Sequence, residues 1–233
     1  ATSNICTAQV LLAVISSMYA VYHGPEGLAH IAHTVHRHTA TLAAGLTRLG
    51  FAPLNGAAFD TLTVRADDRQ DEIVTRALSQ GINLRINADH TLGIALDELT
   101  IPEIVEAVWR AFGGAFSYAD VEPHAPDLLP SDLRRRTPYL THPVFHAHRS
   151  ETALLRYMRK LADRDLALDR TMIPLGSCTM KLNATTEMIP LTWPAFASLH
   201  PFAPSEQAEG YHSLFEQFEQ WLLDITGYDA ISL

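Results

Sequence analysis

The chain has 233 residues, a length that suits one large domain or two small ones. Its 17 basic and 26 acidic side chains leave a net charge of −9, which excludes the basic face a nucleic-acid binder needs to neutralise phosphates. Hydrophobic residues at 47% are enough for a core, and two cysteines, Cys6 and Cys178, are too few for a disulfide framework or a multi-cysteine zinc site, so a reducing, cytoplasmic compartment is expected.

No apolar run reaches the roughly 18 residues that a membrane-spanning helix needs. The longest candidate, Val10 to Tyr22, is broken by Ser16 and Ser17. The first residue is Ala1, and no charged segment precedes an apolar one, so no signal peptide is expected. The final run, Tyr228 to Leu233, reads as the start of a strand with no stop signal, so both ends suggest a piece of a longer protein.

Taken in chain order, the first predicted element is a helix from Ala1 to Tyr22. Ile5, Val10, Leu11, Val14, Ile15, Met18 and Val21 give it a wide apolar face, and Thr2, Ser3 or Asn4 can cap it. His23-Gly24-Pro25 stops it and opens a second helix, which runs to about Leu49 and ends at Gly50. Phe59 to Val64 alternates as a strand should. Asp71 to Gln80 is a short amphipathic helix closed by Gly81. Ile82 to Ile86 and Leu92 to Leu96 are strand-like runs around a polar turn. Thr100 is placed to cap a helix from about Pro102 to Phe112, ended by Gly113-Gly114. This order predicts an α+β unit over residues 1–114, a small antiparallel sheet with helices on one face.

Residues 115–149 change character, with Pro123, Pro126, Pro130, Pro138 and Pro143 and little periodicity, which predicts a linker or extended arm. A third unit occupies residues 150–233. Ser150 can cap an Arg-rich helix from Glu151 to about Leu166. Met172 to Pro204 is long and Pro-interrupted, the kind of irregular stretch that a compact domain keeps for function. The last helix runs from Ser205 to Thr226 and is closed by Gly227.

The chain has twelve histidines. His30, His33 and His36 recur every third residue with His38 nearby, and His142, His146 and His148 cluster in the Pro-rich region. A zinc or iron site is one reading. Solvated or capping histidines are the better one, because no acidic third ligand and no His-Glu-x-x-His pattern accompany them.

The segment Met172 to Thr185 is the most unusual, packing small hydroxyls, a thiol, a lysine and an amide into a loop-like context. Three roles compete with a purely structural one, in which Ser and Thr satisfy loop backbone groups. Lys181, one of only two lysines beside Lys160, could form a Schiff base with a cofactor or carbonyl substrate. Cys178 could be a nucleophile, although the sequence places no histidine beside it. The hydroxyls of Ser177 and Thr179, with Asn183, could line a pocket built mainly by other parts of the protein.

This run, the following Glu187-Met188-Ile189-Pro190-Leu191-Thr192-Trp193-Pro194 and the string His200-Pro201-Phe202-Ala203-Pro204 resemble the P-protein of the glycine cleavage system, the glycine decarboxylase family. So do Ala1 to Gln9, Met18 to Gly27, Leu140 to Phe145 and Ser150-Glu151-Thr152, and the likeness covers essentially the whole chain. One departure is Arg149, with His146 and Ala147, where the resemblance implies a run richer in Asn and His.

The resemblance implies a pyridoxal-phosphate enzyme of the aminotransferase-like fold type I, built from two homologous halves. Residues 1–114 then end the first half as its small domain, residues 115–149 join the halves, and residues 150–233 begin the catalytic half as an N-terminal arm and helices. It implies glycine decarboxylation, with the aminomethyl carbon passed to the lipoyl arm of the H-protein, in a dimeric parent. It further implies that the cofactor-binding lysine lies beyond Leu233. Ser177, Cys178, Thr179, Lys181 and Asn183 then lie near an active-site entrance without any catalytic residue being present. The isolated chain is accordingly expected to bind no pyridoxal phosphate and to be inactive. Two other classes stay open beside this one: a non-catalytic scaffold that binds the rest of the P-protein, and a histidine-based metal protein.

Overall fold

The computed structural model describes residues 8–164 and 184–233. The chain divides into two compact units between Ala167 and Leu168.

The first unit opens with α1 (Ala8–Arg48), which breaks at Gly24 (φ 62°, ψ −178°). That backbone conformation is open to glycine alone, and Pro25 restarts the helix with its φ already set. The break predicted at His23-Gly24-Pro25 is therefore where the chain turns. Its packing shows why no other residue fits: a methyl on Gly24 would collide with the Phe145 carbonyl and the Arg149 guanidinium.

A three-stranded antiparallel sheet in the order β1-β3-β2 is built from β1 (Thr61–Arg65), β2 (Arg85–Ile86) and β3 (Thr91–Ala95). Leu62 pairs with Ile94 and Val64 with Leu92. These four alternate positions form one buried face. Two predicted strands are shorter than expected. Phe59 and Asp60 precede the ladder, and Phe59 gives its carbonyl to His36 instead. Ile82 closes α2 (Gln70–Leu78) by bonding back to Ala77, so only Arg85 and Ile86 are left to pair.

The buried sheet face packs with α1, α2 and α3 (Pro102–Ala111) into one cluster. Trp109, Phe112, Leu42, Leu46, Leu62, Ile73 and Leu92 are its largest fully buried side chains. Each contributes about 1.5–3 kcal/mol through burial alone. Thr100 does not cap α3. Its hydroxyl is spent on Asp97 one turn earlier, and Ile101 takes the cap position without a side-chain bond.

The Pro-rich stretch begins on this core. Val121 in α4 (Tyr118–Val121) is fully buried, and Phe116, Tyr118 and Leu128 pack against the same core cluster. The turn Glu122–His124 continues α4, and α5 (Val144–Ala147) sits against the break in α1. Tyr139 donates to the Pro25 carbonyl at 2.6 Å, and Arg149 reaches Glu26 at 2.5 Å. Ser150 caps α6 (Glu151–Ala162), its hydroxyl accepting from the Ala153 amide at 3.3 Å.

In the second unit, α7 (Thr185–Met188), the turn Ile189–Thr192 and α8 (Pro194–Ala197) are single turns, and α9 (Glu209–Thr226) is the one long helix among the described residues. It starts four residues later than predicted, because Ser205–Gln207 forms a separate tight turn. Gly227, at φ 72°, ends it as expected. Residues 228–233 form no strand. No described residue of this unit is buried.

Candidate functional site

The residues singled out for chemistry, Ser177, Cys178, Thr179, Lys181 and Asn183, lie outside the described residues, as does Cys6. Immediately downstream, short turns are pinned by local bonds. The Ala184 amide donates to Glu187 at 3.2 Å, and the Tyr211 hydroxyl donates to the Phe196 carbonyl at 2.7 Å. Phe196 and Tyr211 meet edge to face at 5.9 Å. His200 accepts from the Phe202 amide at 3.0 Å, so its ring braces the turn of the His200-Pro201-Phe202 string.

The first unit carries an open cleft of about 470 Å³ lined by histidines, on the part of α1 that follows its break. His30, His33 and Thr34 form one wall, with His36, Arg37, His38 and Asp127 beside them. Periodicity explains the arrangement: residues 30, 33 and 37 fall on neighbouring turns of one helix face.

His36 is buried and held from both sides. Its Nδ1 meets the Phe59 carbonyl at 3.0 Å and its Nε2 meets the Asp127 carboxylate at 2.9 Å. The Phe59 ring stacks parallel at 5.8 Å. Asp127 is in turn paired with Arg134 and accepts the Leu129 amide at 2.8 Å. Arg37 binds the Glu122 carboxylate, the Glu122 carbonyl and, at 3.3 Å, the Ala125 carbonyl. His38 Nδ1 meets the Tyr118 hydroxyl at 2.9 Å. Burial holds His38 below its ordinary pKa and pushes Tyr118 above its own, since each charged form is poorly solvated there.

Three consecutive residues of α1 thus bind residues 118–127. Sequence reasoning placed His30, His33, His36 and His38 together but missed this use of them. The available signal was His36-Arg37-His38 inside a helix whose flanks are apolar, facing an arm that carries Tyr118, Glu122 and Asp127. The second histidine group is also engaged locally. His142 accepts from the Val144 amide at 3.2 Å, His146 meets the Leu140 carbonyl at 3.1 Å, and His148 stacks on Tyr157 at 4.2 Å. Among the described residues no three His, Cys, Asp or Glu side chains converge as a metal site.

The described residues do not fit pyridoxal phosphate. Covalent attachment needs an enclosed amine, and the single described lysine, Lys160, is exposed on α6. Among the described residues no helix is long and apolar enough to cross a membrane.

Comparison with known proteins places the chain. The family model for the glycine cleavage system P-protein matches residues 1–112. The chain is 89% identical over all 233 residues to glycine dehydrogenase (decarboxylating) of Nitrobacter hamburgensis, covering 24% of that protein. It is 86% identical over the same span to the enzyme of that name from Nitrobacter winogradskyi, and 59% identical over 236 aligned residues to that of Gluconobacter oxydans. The chain thus spans about a quarter of the length of these relatives. Residues 1–112 thus match the glycine cleavage system P-protein family, and the whole chain is similar to one stretch of the longer enzymes named glycine dehydrogenase (decarboxylating).

Proposed function

We propose that these 233 residues serve a pyridoxal-phosphate-dependent glycine decarboxylase of fold type I, as the end of one half and the start of the other. The observation that carries this reading is the 89% identity over the entire chain to a glycine dehydrogenase (decarboxylating). In this reading residues 1–114 are a small domain, residues 115–149 join the two halves, and residues 150–233 open the catalytic half. The α+β unit built around the three-stranded sheet supports the first part. The whole protein takes glycine, releases carbon dioxide and passes the aminomethyl carbon to the H-protein's lipoyl arm. Bound pyridoxal phosphate supplies the electron sink for that chemistry.

The chain's own residues contribute scaffold rather than reacting atoms. The core around Trp109 fixes the small domain, and the 36–38 bonds hold residues 118–127 against it. Ser177, Cys178, Thr179, Lys181 and Asn183 are near-site candidates, with the two hydroxyls and the Asn183 amide as donors at an active-site entrance. Lys181 is not the cofactor lysine, and the 233 residues alone neither hold the cofactor nor decarboxylate glycine.

The test is a chimera in which this chain replaces its counterpart in the Nitrobacter hamburgensis relative. With H-protein and pyridoxal phosphate the chimera should release carbon dioxide from glycine, while the 233 residues alone should not. An inactive chimera beside an active parent would overturn the reading. Borohydride treatment of the 233 residues with pyridoxal phosphate should leave Lys181 unlabelled by mass spectrometry. Stoichiometric labelling there would show that it holds the cofactor after all.

A further inference from the structure

The part of α1 ahead of its break is built differently from the part after it. Residues 8–22 contain no charged side chain. Leu11, Leu12, Ile15, Met18, Tyr19 and Tyr22 cluster on one side of the helix, and Val10, Val14 and Val21 extend that arc, leaving Gln9, Ala13, Ser16, Ser17 and Ala20 opposite. At 100° per residue the large apolar side chains sweep roughly 200° of the circumference. A surface helix needs only about half of that. A helix apolar over so wide an arc is normally enclosed by protein on most sides.

Among the described residues of the first unit nothing covers it. Leu11 is 62% exposed, Leu12 66%, Ile15 53% and Val14 50%. Val21, next to the break, is buried at 4%. After the break the pattern reverses, with Val35, Leu42 and Leu46 closed into the core. Contiguous apolar surface of this kind marks an interaction site on a soluble protein.

The occupant follows from the relatives' lengths. The same residues, at 89% identity, sit in a protein about four times as long as this chain, so about three quarters of that protein lies outside it. We infer that residues 8–22 are the seat on which the remaining polypeptide of the P-protein closes. The uncharged surface calls for an apolar cleft in that polypeptide and offers no charge to an acidic or basic partner. This inference rests on the chain working as part of the longer P-protein. It adds which surface makes the join and locates the change from outer contact to internal core at Gly24.

The experiment compares the 233 residues with the Nitrobacter hamburgensis chimera, each carrying Leu12→Cys. Thiol labelling at position 12, read by mass spectrometry, should be at least tenfold slower in the chimera. Without any substitution, amide exchange of residues 8–22 should slow in the chimera too, which keeps the test valid if the cysteine variant misfolds. Equal labelling and equal exchange in both proteins would overturn the inference. So would protection in the 233 residues alone that grows with their concentration, because a second copy would then be the occupant. The functional reading is scored separately by carbon dioxide release. A chimera that protects position 12 but is inactive sinks that reading and supports this inference. An active chimera with position 12 fully reactive does the reverse.

Discussion

A methyl group placed on Gly45 would run into the Trp109 indole, which is fully buried and donates to the Leu42 carbonyl at 3.1 Å. Glycine inside a helix costs about 0.5–1 kcal/mol relative to alanine, so Gly45→Ala on an open helix would stabilise it. Here overpacking of about 1–3 kcal/mol wins, because neither the indole nor α1 can retreat without breaking that bond. Gly45→Ala should therefore lower the thermal midpoint; a rise would show that the indole moves freely. The sequence shows a glycine in a helical pattern but not the ring pressed on it, since nothing local links position 45 to position 109. The pair His38 and Tyr118 yields a second outcome. His38 is held below its ordinary 6.5, so the unfolded chain takes up the proton first as pH falls. The stability tied to neutral His38 is complete above 6.5 and is lost as pH drops through the lower folded value. Tyr118 is held above 10.0, and the unfolded chain loses its proton first as pH rises, so that stability is complete below 10.0 and is lost above it. Thr41, Glu122 and Arg37 also act on Tyr118, and Glu122 opposes its ionisation as burial does. Urea midpoints against pH should fall on both sides. His38→Asn should flatten the acid limb and Tyr118→Phe the alkaline one, and an unchanged acid limb in His38→Asn would move the titration elsewhere.

The elements divide by how local their cause is. The break in α1, the Ser150 cap and the Gly227 stop were legible because each depends on residues within one turn. The Thr100 cap was misread because Asp97 competes for the same hydroxyl, and the β2 strand was overextended because Ile82 belongs to the end of α2. The Pro-rich stretch hides its structure for a related reason: a four-residue helix such as α4 is too short to show a period. Its anchoring is a long-range matter between α1 and residues 118–127. Val121→Ala removes two buried methyl groups and leaves a cavity, at a cost of roughly 2 kcal/mol. Arg37→Gln frees Glu122 from a pair whose two side chains are each more than a third exposed, at a cost of about 1 kcal/mol. Both variants should raise amide exchange over residues 118–125 while leaving β1 and β3 protected. Equal loss of protection in the sheet would mean that the arm and the domain unfold as one body.

At the scale of the molecule, stability is concentrated in the first unit. Every described residue classed as buried belongs to it, while residues 184–233 have none. The apolar pattern of α9, with Leu214, Phe218, Trp221 and Ile225, was legible in the sequence, but those side chains are 45%, 44%, 60% and 79% exposed. An amphipathic pattern states that a helix has a face to bury, not that its partner is within reach. An isolated helix of 18 residues is marginal in water, since its stability comes from packing rather than from propensity. The near-site candidates Ser177, Cys178, Thr179, Lys181 and Asn183 lie outside the described residues, so the sequence names them without fixing their geometry. Removing residues 165–233 should accordingly leave the main unfolding transition where it was, within about 2 °C, a shift that corresponds to about 0.5–1 kcal/mol for a domain of this size. Amides of α9 should exchange orders of magnitude faster than those of Leu42, Leu62 and Leu92, because they open without exposing buried apolar surface. A drop of about 8 °C or more on truncation, or slow exchange along α9, would show that the second unit is stabilised within these 233 residues.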